Sequence, residues 1–139
     1  GVFFAEKRYP LGMGPVSMQE ELFLIQSNII KDFAAMQSCI IVGRCGDYCL
    51  RNADRALHVY VYSPYEKRLE NCTSILGMDE KTARDMIKDV DKARDNYRKK
   101  YCKDMAGVFD NRDICIDSSK FGAEATAKIL CGIARSVFK

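Results

Sequence analysis

The sequence predicts an α/β domain in three layers, with helices on both faces of a parallel sheet. Short β-branched or aromatic runs alternate with longer segments of helical period. Polar residues follow the end of each short run, where a parallel sheet keeps its ligand crevice. A chain of 139 residues is also long enough to bury one core.

Residues 1–18 carry Pro10, Gly12, Gly14 and Pro15 and read as an irregular leader. Ser17 ahead of Met18-Gln19-Glu20 reads as a helix cap with an acidic first turn. From Gln19 to Gln37 the residues Leu22, Ile25, Ile29, Ile30 and Phe33 recur at steps suited to one helix face. Cys39-Ile40-Ile41-Val42-Gly43 then reads as a strand covered on both faces.

A second strand is expected over Leu57–Tyr62, rich in β-branched and aromatic residues. Pro64 ends it and opens a helix to about Leu76, which Gly77 closes. Asp79 caps a long helix to about Tyr101, lid-like because its exposed face is charged throughout. Its apolar seam is Ala83, Met86, Val90, Ala93 and Tyr97. Ile114-Cys115-Ile116 is the third strand, and Gly122 opens a last helix with Ala125, Ile129, Ala134 and Val137 on its apolar face. The domain proper therefore spans 19–139.

A net charge of +3 is too small to argue for nucleic acid or a membrane surface, and no apolar run is long enough to span a bilayer. Seven cysteines without a C-x-x-C pair suggest reduced thiols in the cytoplasm. Zinc on Cys45, Cys49 and His58 fits no usual ligand spacing, so no metal ligands are expected.

Three segments follow strand ends: Arg44–Tyr48, Ser63–Arg68 and Asp117–Ser119. Basic residues in two of them point to an anionic ligand. A guanidinium binds phosphate as a planar fork, although Arg44 alone could equally pair with Asp47 or Asp117. Asp91 and Arg94 sit three apart on one helical face, which by itself is most often a solvated pair. Arg98, Lys99, Lys100 and Lys103 read as a solvated helix end, where cations are favoured.

The run Cys39-Ile40-Ile41-Val42-Gly43-Arg44-Cys45-Gly46-Asp47-Tyr48-Cys49-Leu50 resembles the central motif of the cytidylate-kinase-like proteins of bacteria. Three later segments agree in order: Pro64-Tyr65-Glu66-Lys67-Arg68, the helix with Val90-Asp91-Lys92, Arg94 and Tyr97, and Asp113 to Ser119. The upstream helix with Phe23, Gln26, Ile29 and Ile30 also fits, so the resemblance covers about residues 19–138.

The resemblance implies a P-loop kinase-like fold, incomplete at the N-terminus, and ATP-dependent phosphoryl transfer to CMP or a related monophosphate. It implies Gln26, Arg44, Asp47, Tyr48, Asp91 and Arg94 at the acceptor nucleotide, with Arg44 and Arg94 assisting transfer. It implies Arg68, Ser118 and Ser119 at ATP, with Mg²⁺ as the metal. Two features depart from that pattern: no G-x-x-x-x-G-K-[ST] loop occurs, and Asn71 stands where relatives often carry a second arginine.

The chain opens on Gly1 rather than methionine, which allows for upstream sequence carrying the phosphate loop. The 139 residues alone are therefore expected not to transfer phosphate. By resemblance, the strand feeding that loop lies between 39–43 and 57–62. Its absence would be met by an upstream segment, by self-association through the incomplete sheet, or by direct pairing of the two runs. The alternative is a nucleotide-binding or assembly module without catalysis; a purely structural domain is a third reading.

Overall fold

The structure, a computed structural model, describes residues 16–139, with side chains from Met18 onward. Most of the expected leader lies outside the described residues. The chain forms two compact units, one of Gly1–Asp54 with Ala93–Asn111 and the other of Arg55–Lys92 with Arg112–Lys139.

In the first unit, α1 spans Val16–Met36. It starts ahead of Ser17, so that residue lies inside the helix instead of capping it, and Glu20 falls beyond the first turn. Only part of its apolar face is covered. Ser27 and Ile30 are buried, whereas Leu24, Ile25 and Met36 are exposed. Phe23 stacks on Tyr101 with ring centroids 4.3 Å apart, which joins α1 to the end of α4 (Glu80–Tyr101).

The strand expected over 39–43 is a correction: those residues form no strand. A β-branched run becomes a strand only when a neighbour takes up its backbone hydrogen bonds, and no ladder forms here among the described residues. Ile40 and Val42 are 76% and 78% exposed, so the run is not covered on both faces either. A tight turn follows and leads into α2, Gly46–Cys49. Cys45, Cys49, Tyr101 and Cys102 are buried in this unit.

In the second unit, β1 (Val59–Tyr62) and β2 (Ile114–Asp117) pair in parallel, Val59 opposite Ile114 and Tyr62 opposite Asp117. His58 secures the start of the ladder. Its carbonyl accepts from the amides of Asp113 and Ile114 at 2.8 and 3.2 Å, and its own amide donates to Asp113 Oδ2 at 2.6 Å.

Helix α3 (Tyr65–Ser74) starts directly after Pro64, and Gly77 takes a positive φ of 65° beyond its end. Asp79 caps α4 as expected, accepting from the Thr82 amide at 2.9 Å. A hydrogen bond with the Thr82 side chain, and after it the one from the Thr82 amide, holds the Asp79 carboxyl below its ordinary range.

The core of this unit is Leu69, Cys72, Ala83 and Ile87, with Met78 and Met86 packed against it. Ile87 belongs to this cluster, whereas Val90 of the expected seam is 37% exposed. The last helix, α5, spans Ser118–Val137 and is capped by Asp117, whose Oδ1 accepts from the Ser119 amide. It therefore begins before Gly122. That glycine interrupts it with φ 75° and ψ 167°, a conformation essentially confined to glycine.

The observed class is thus α/β with a two-stranded parallel sheet. No described helix is long and apolar enough to cross a membrane.

Candidate functional site

The turn before α2 is a strongly constrained stretch of the first unit. Gly43, Arg44 and Cys45 have φ of 72°, 55° and 53°, three left-handed residues in succession. Glycine adopts this freely, but each L-residue gives up about 1–2 kcal/mol. Backbone of this kind persists only where its surroundings over-determine it, and such positions gather at functional sites.

Several contacts fix the turn. The Gly46 amide donates to Gly43 O at 3.0 Å, closing it. A Cβ on Gly46 would lie 2.7 Å from Ile41 Cγ2, so a side chain there would force Ile41 aside. Cys45 packs inward, and its thiol is pushed well above the usual range, first by a hydrogen bond with Cys102 and then by burial. A thiol held protonated in this way is no nucleophile.

Asp47 is anchored at both ends. Arg98 Nη1 donates to both of its carboxylate oxygens at 3.1 Å, and Asn111 Nδ2 donates to its carbonyl at 2.8 Å. The same Arg98 donates to Met105 O and Ala106 O at 2.8 and 3.4 Å. The Arg98 and Asp47 side chains are only 14% and 8% exposed. Breaking a buried pair from one side costs about 3–5 kcal/mol, because a charge stays behind without its partner.

Arg98 therefore belongs to the interior, not to a solvated helix end. Its place was readable from its position three and four residues before Tyr101 and Cys102, both buried on that face. The structure commits the Asp47 carboxylate to Arg98, whereas the resemblance implies a ribose or base contact for it.

Arg44 holds no hydrogen bond or ion pair among the described residues and is half-buried. Tyr97 lies close enough to feel its charge. Burial pushes the Tyr97 hydroxyl up to about 12, and the Arg44 guanidinium works against that rise. Tyr48 is covered by Arg51, whose guanidinium carbon lies 4.1 Å from the ring centroid. Gln26 is half-buried on α1, and Arg94 is exposed on α4 with no partner among the described residues. With Asp47 neutralised by Arg98, Arg44 leaves the turn a net positive group able to receive an anion.

In the second unit, Arg68 donates to both oxygens of Asp91 at 2.8 Å. The resemblance divides these residues between ATP and the acceptor; here they form one bidentate pair. Ser63 Oγ, directly after β1, and Arg68 Nε, on α3, are buried without a hydrogen-bond partner among the described residues. Ser118 Oγ donates to Tyr62 O at 3.1 Å, while Ser119 Oγ donates to Asp117 Oδ1 at 2.7 Å. These serines bind the end of the sheet and the helix cap rather than Arg68. No group of three or more His, Cys, Asp or Glu able to hold a metal occurs among the described residues.

No curated protein matches the chain. The model of the cytidylate kinase-like family matches residues 3–120, a stretch that includes the left-handed turn, the Arg98–Asp47 pair and the Arg68–Asp91 pair. The chain belongs to the cytidylate kinase-like family.

Proposed function

We propose that this chain serves ATP-dependent phosphoryl transfer to a nucleoside monophosphate, with CMP as the acceptor, within a three-layer P-loop kinase fold. One observation carries the reading: a strained turn, held from several sides, presents Arg44 without an internal partner in a chain of this family. Phosphoryl transfer relies on positioning and charge neutralisation, so arginines rather than a nucleophile are the groups to seek. Arg44 receives the acceptor phosphate, Arg94 supplies a second cation, and Gln26 and Tyr48 shape the nucleoside site. Arg68, Ser118 and Ser119 face ATP, and Mg²⁺ enters with its phosphates to offset their charge.

The parallel neighbours β1 and β2 support the fold reading. They suit the fourth and fifth strands of the order 2-3-1-4-5 that such kinases resemble one another in. The exposed run at 39–43 suits a third strand whose neighbour lies outside the described residues.

Calorimetric titration of CMP into the wild type and Arg44→Lys tests the proposal. Lysine keeps the charge and loses the fork, so affinity should fall by ~1–3 kcal/mol. Equal affinities, or no CMP binding by the wild type, overturn it. A non-catalytic nucleotide-binding module is the second reading, favoured by the lack of a G-x-x-x-x-G-K-[ST] loop in the sequence. Turnover of ATP and CMP with Mg²⁺ by a chain of verified mass decides against that alternative.

A further inference from the structure

We propose that Arg98 is the positioning residue of the Gly43–Cys45 turn, holding it in the left-handed form that presents Arg44 to an anion. The inference rests on the reading of Arg44 as the ligand-binding group, and it adds a residue for which sequence spacing suggested only a solvated helix end.

The geometry carries it. Arg98 binds three separate points at once: the Asp47 carboxylate, the Met105 carbonyl and the Ala106 carbonyl. It thereby ties the last turns of α4 and the segment after it to Asp47, two residues past the strained turn. Asn111 adds a second hold on Asp47 through its carbonyl. Left-handed backbone at Arg44 and Cys45 relaxes unless something outside the turn opposes relaxation, and Asp47 is the first residue beyond the turn that is anchored from both backbone and side chain. Only a planar guanidinium reaches all three acceptors together; an ammonium on a flexible stem does not. The role given to Arg98 is indirect. Its effect passes through Asp47.

Two measurements on the full chain test the proposal. The first is amide hydrogen exchange without ligand in the wild type, Arg98→Met and Arg98→Lys. The Gly46, Cys49 and Leu50 amides, which donate to Gly43, Cys45 and Gly46 carbonyls, should exchange at least tenfold faster in Arg98→Met. The Arg68 and Ala83 amides, bonded within the other unit, should change less than twofold. Unchanged exchange at 46–50, or an equal rise at all five amides, overturns the proposal in favour of no role or a general stabilising one.

The second is titration with CMP and with inorganic phosphate. Both should bind at least tenfold more weakly to Arg98→Met, with Arg98→Lys recovering part of the loss. Unaltered affinity alongside loosened amides overturns the link to Arg44. If the wild type binds neither probe, the proposed function fails while the exchange data still judge Arg98. Should Arg98→Met not fold, Asp47→Asn removes the same charge pairing and is read by the same five amides.

Discussion

Arg68 meets Asp91 through two parallel hydrogen bonds of 2.8 Å, joining α3 to the middle of α4. The pair is neither buried nor free: the two side chains are 34% and 46% exposed. Asp91 raises the Arg68 guanidinium further above its already high range, chiefly through the hydrogen bonds. Water screens a pair at this exposure, yet the fork geometry fixes both partners.

A double-mutant cycle with Arg68→Met and Asp91→Asn should therefore give a coupling near the top of the range for surface pairs, about 1 kcal/mol. Urea unfolding at low and high salt measures it, and the coupling should shrink as salt rises. A value indistinguishable from zero at low salt would mean that water has replaced the pair.

Gly122→Ala should destabilise the chain by about 1–3 kcal/mol, the usual cost of forcing a side chain into a glycine-only region. A Cβ there meets nothing within 4 Å, so the penalty is conformational and not steric crowding by neighbours. The shift of the urea midpoint reads it. No shift would show that α5 simply straightens when alanine is introduced.

Tyr97 supplies a signature at alkaline pH. Its hydroxyl ionises near 10 in an unfolded chain and at about 12 in the folded one. Its contribution to stability is therefore complete below pH 10. It is lost as pH rises from about 10 to about 12, where the unfolded chain releases the proton and the folded one keeps it. Tyr97→Phe cannot ionise and should lose less stability across that window. Identical pH profiles of thermal unfolding for the two proteins would contradict this.

The helices were legible because period and caps are local. The Gln19–Gln37 pattern, Pro64 and Asp79 each act within a turn or two of themselves. Strands 57–62 and 114–116 were legible by composition, and they acquired their ladder from each other. The run 39–43 has the same composition but no partner, and nothing within it reveals whether a neighbour will be present.

The site was harder to read for a related reason. Motif likeness drew attention to Arg44 and Asp47, but the left-handed φ of Arg44 and Cys45 leaves no mark in residue type. Only Gly43 hints at it. The Arg98–Asp47 pair spans 51 residues, and no short-range pattern reports a contact that distant. Asp117 is the opposite case: Asp-Ser-Ser after a strand is an ordinary cap signal, and it outranks Gly122 as the start of the helix.

The two units are threaded through each other along the chain, since Ala93–Asn111 belongs to the first and is followed by strand β2 of the second. Vectorial synthesis meets this order directly. A nascent chain that has emerged to Asp54 still lacks Arg98, Tyr101 and Cys102, so α1 and the turn at Gly43 wait for about forty more residues. At roughly 5–20 residues per second that delay lasts seconds, with Phe23 still lacking Tyr101 and Cys45 still lacking Cys102. Neither unit exists as a contiguous stretch that protease or gene truncation could release whole. Cleavage between Lys92 and Ala93 would divide α4 and remove a segment from the first unit while severing the link to β2 of the second. The first unit cannot close before synthesis has passed Ala93–Asn111, nor the second before it has passed Arg112 and β2.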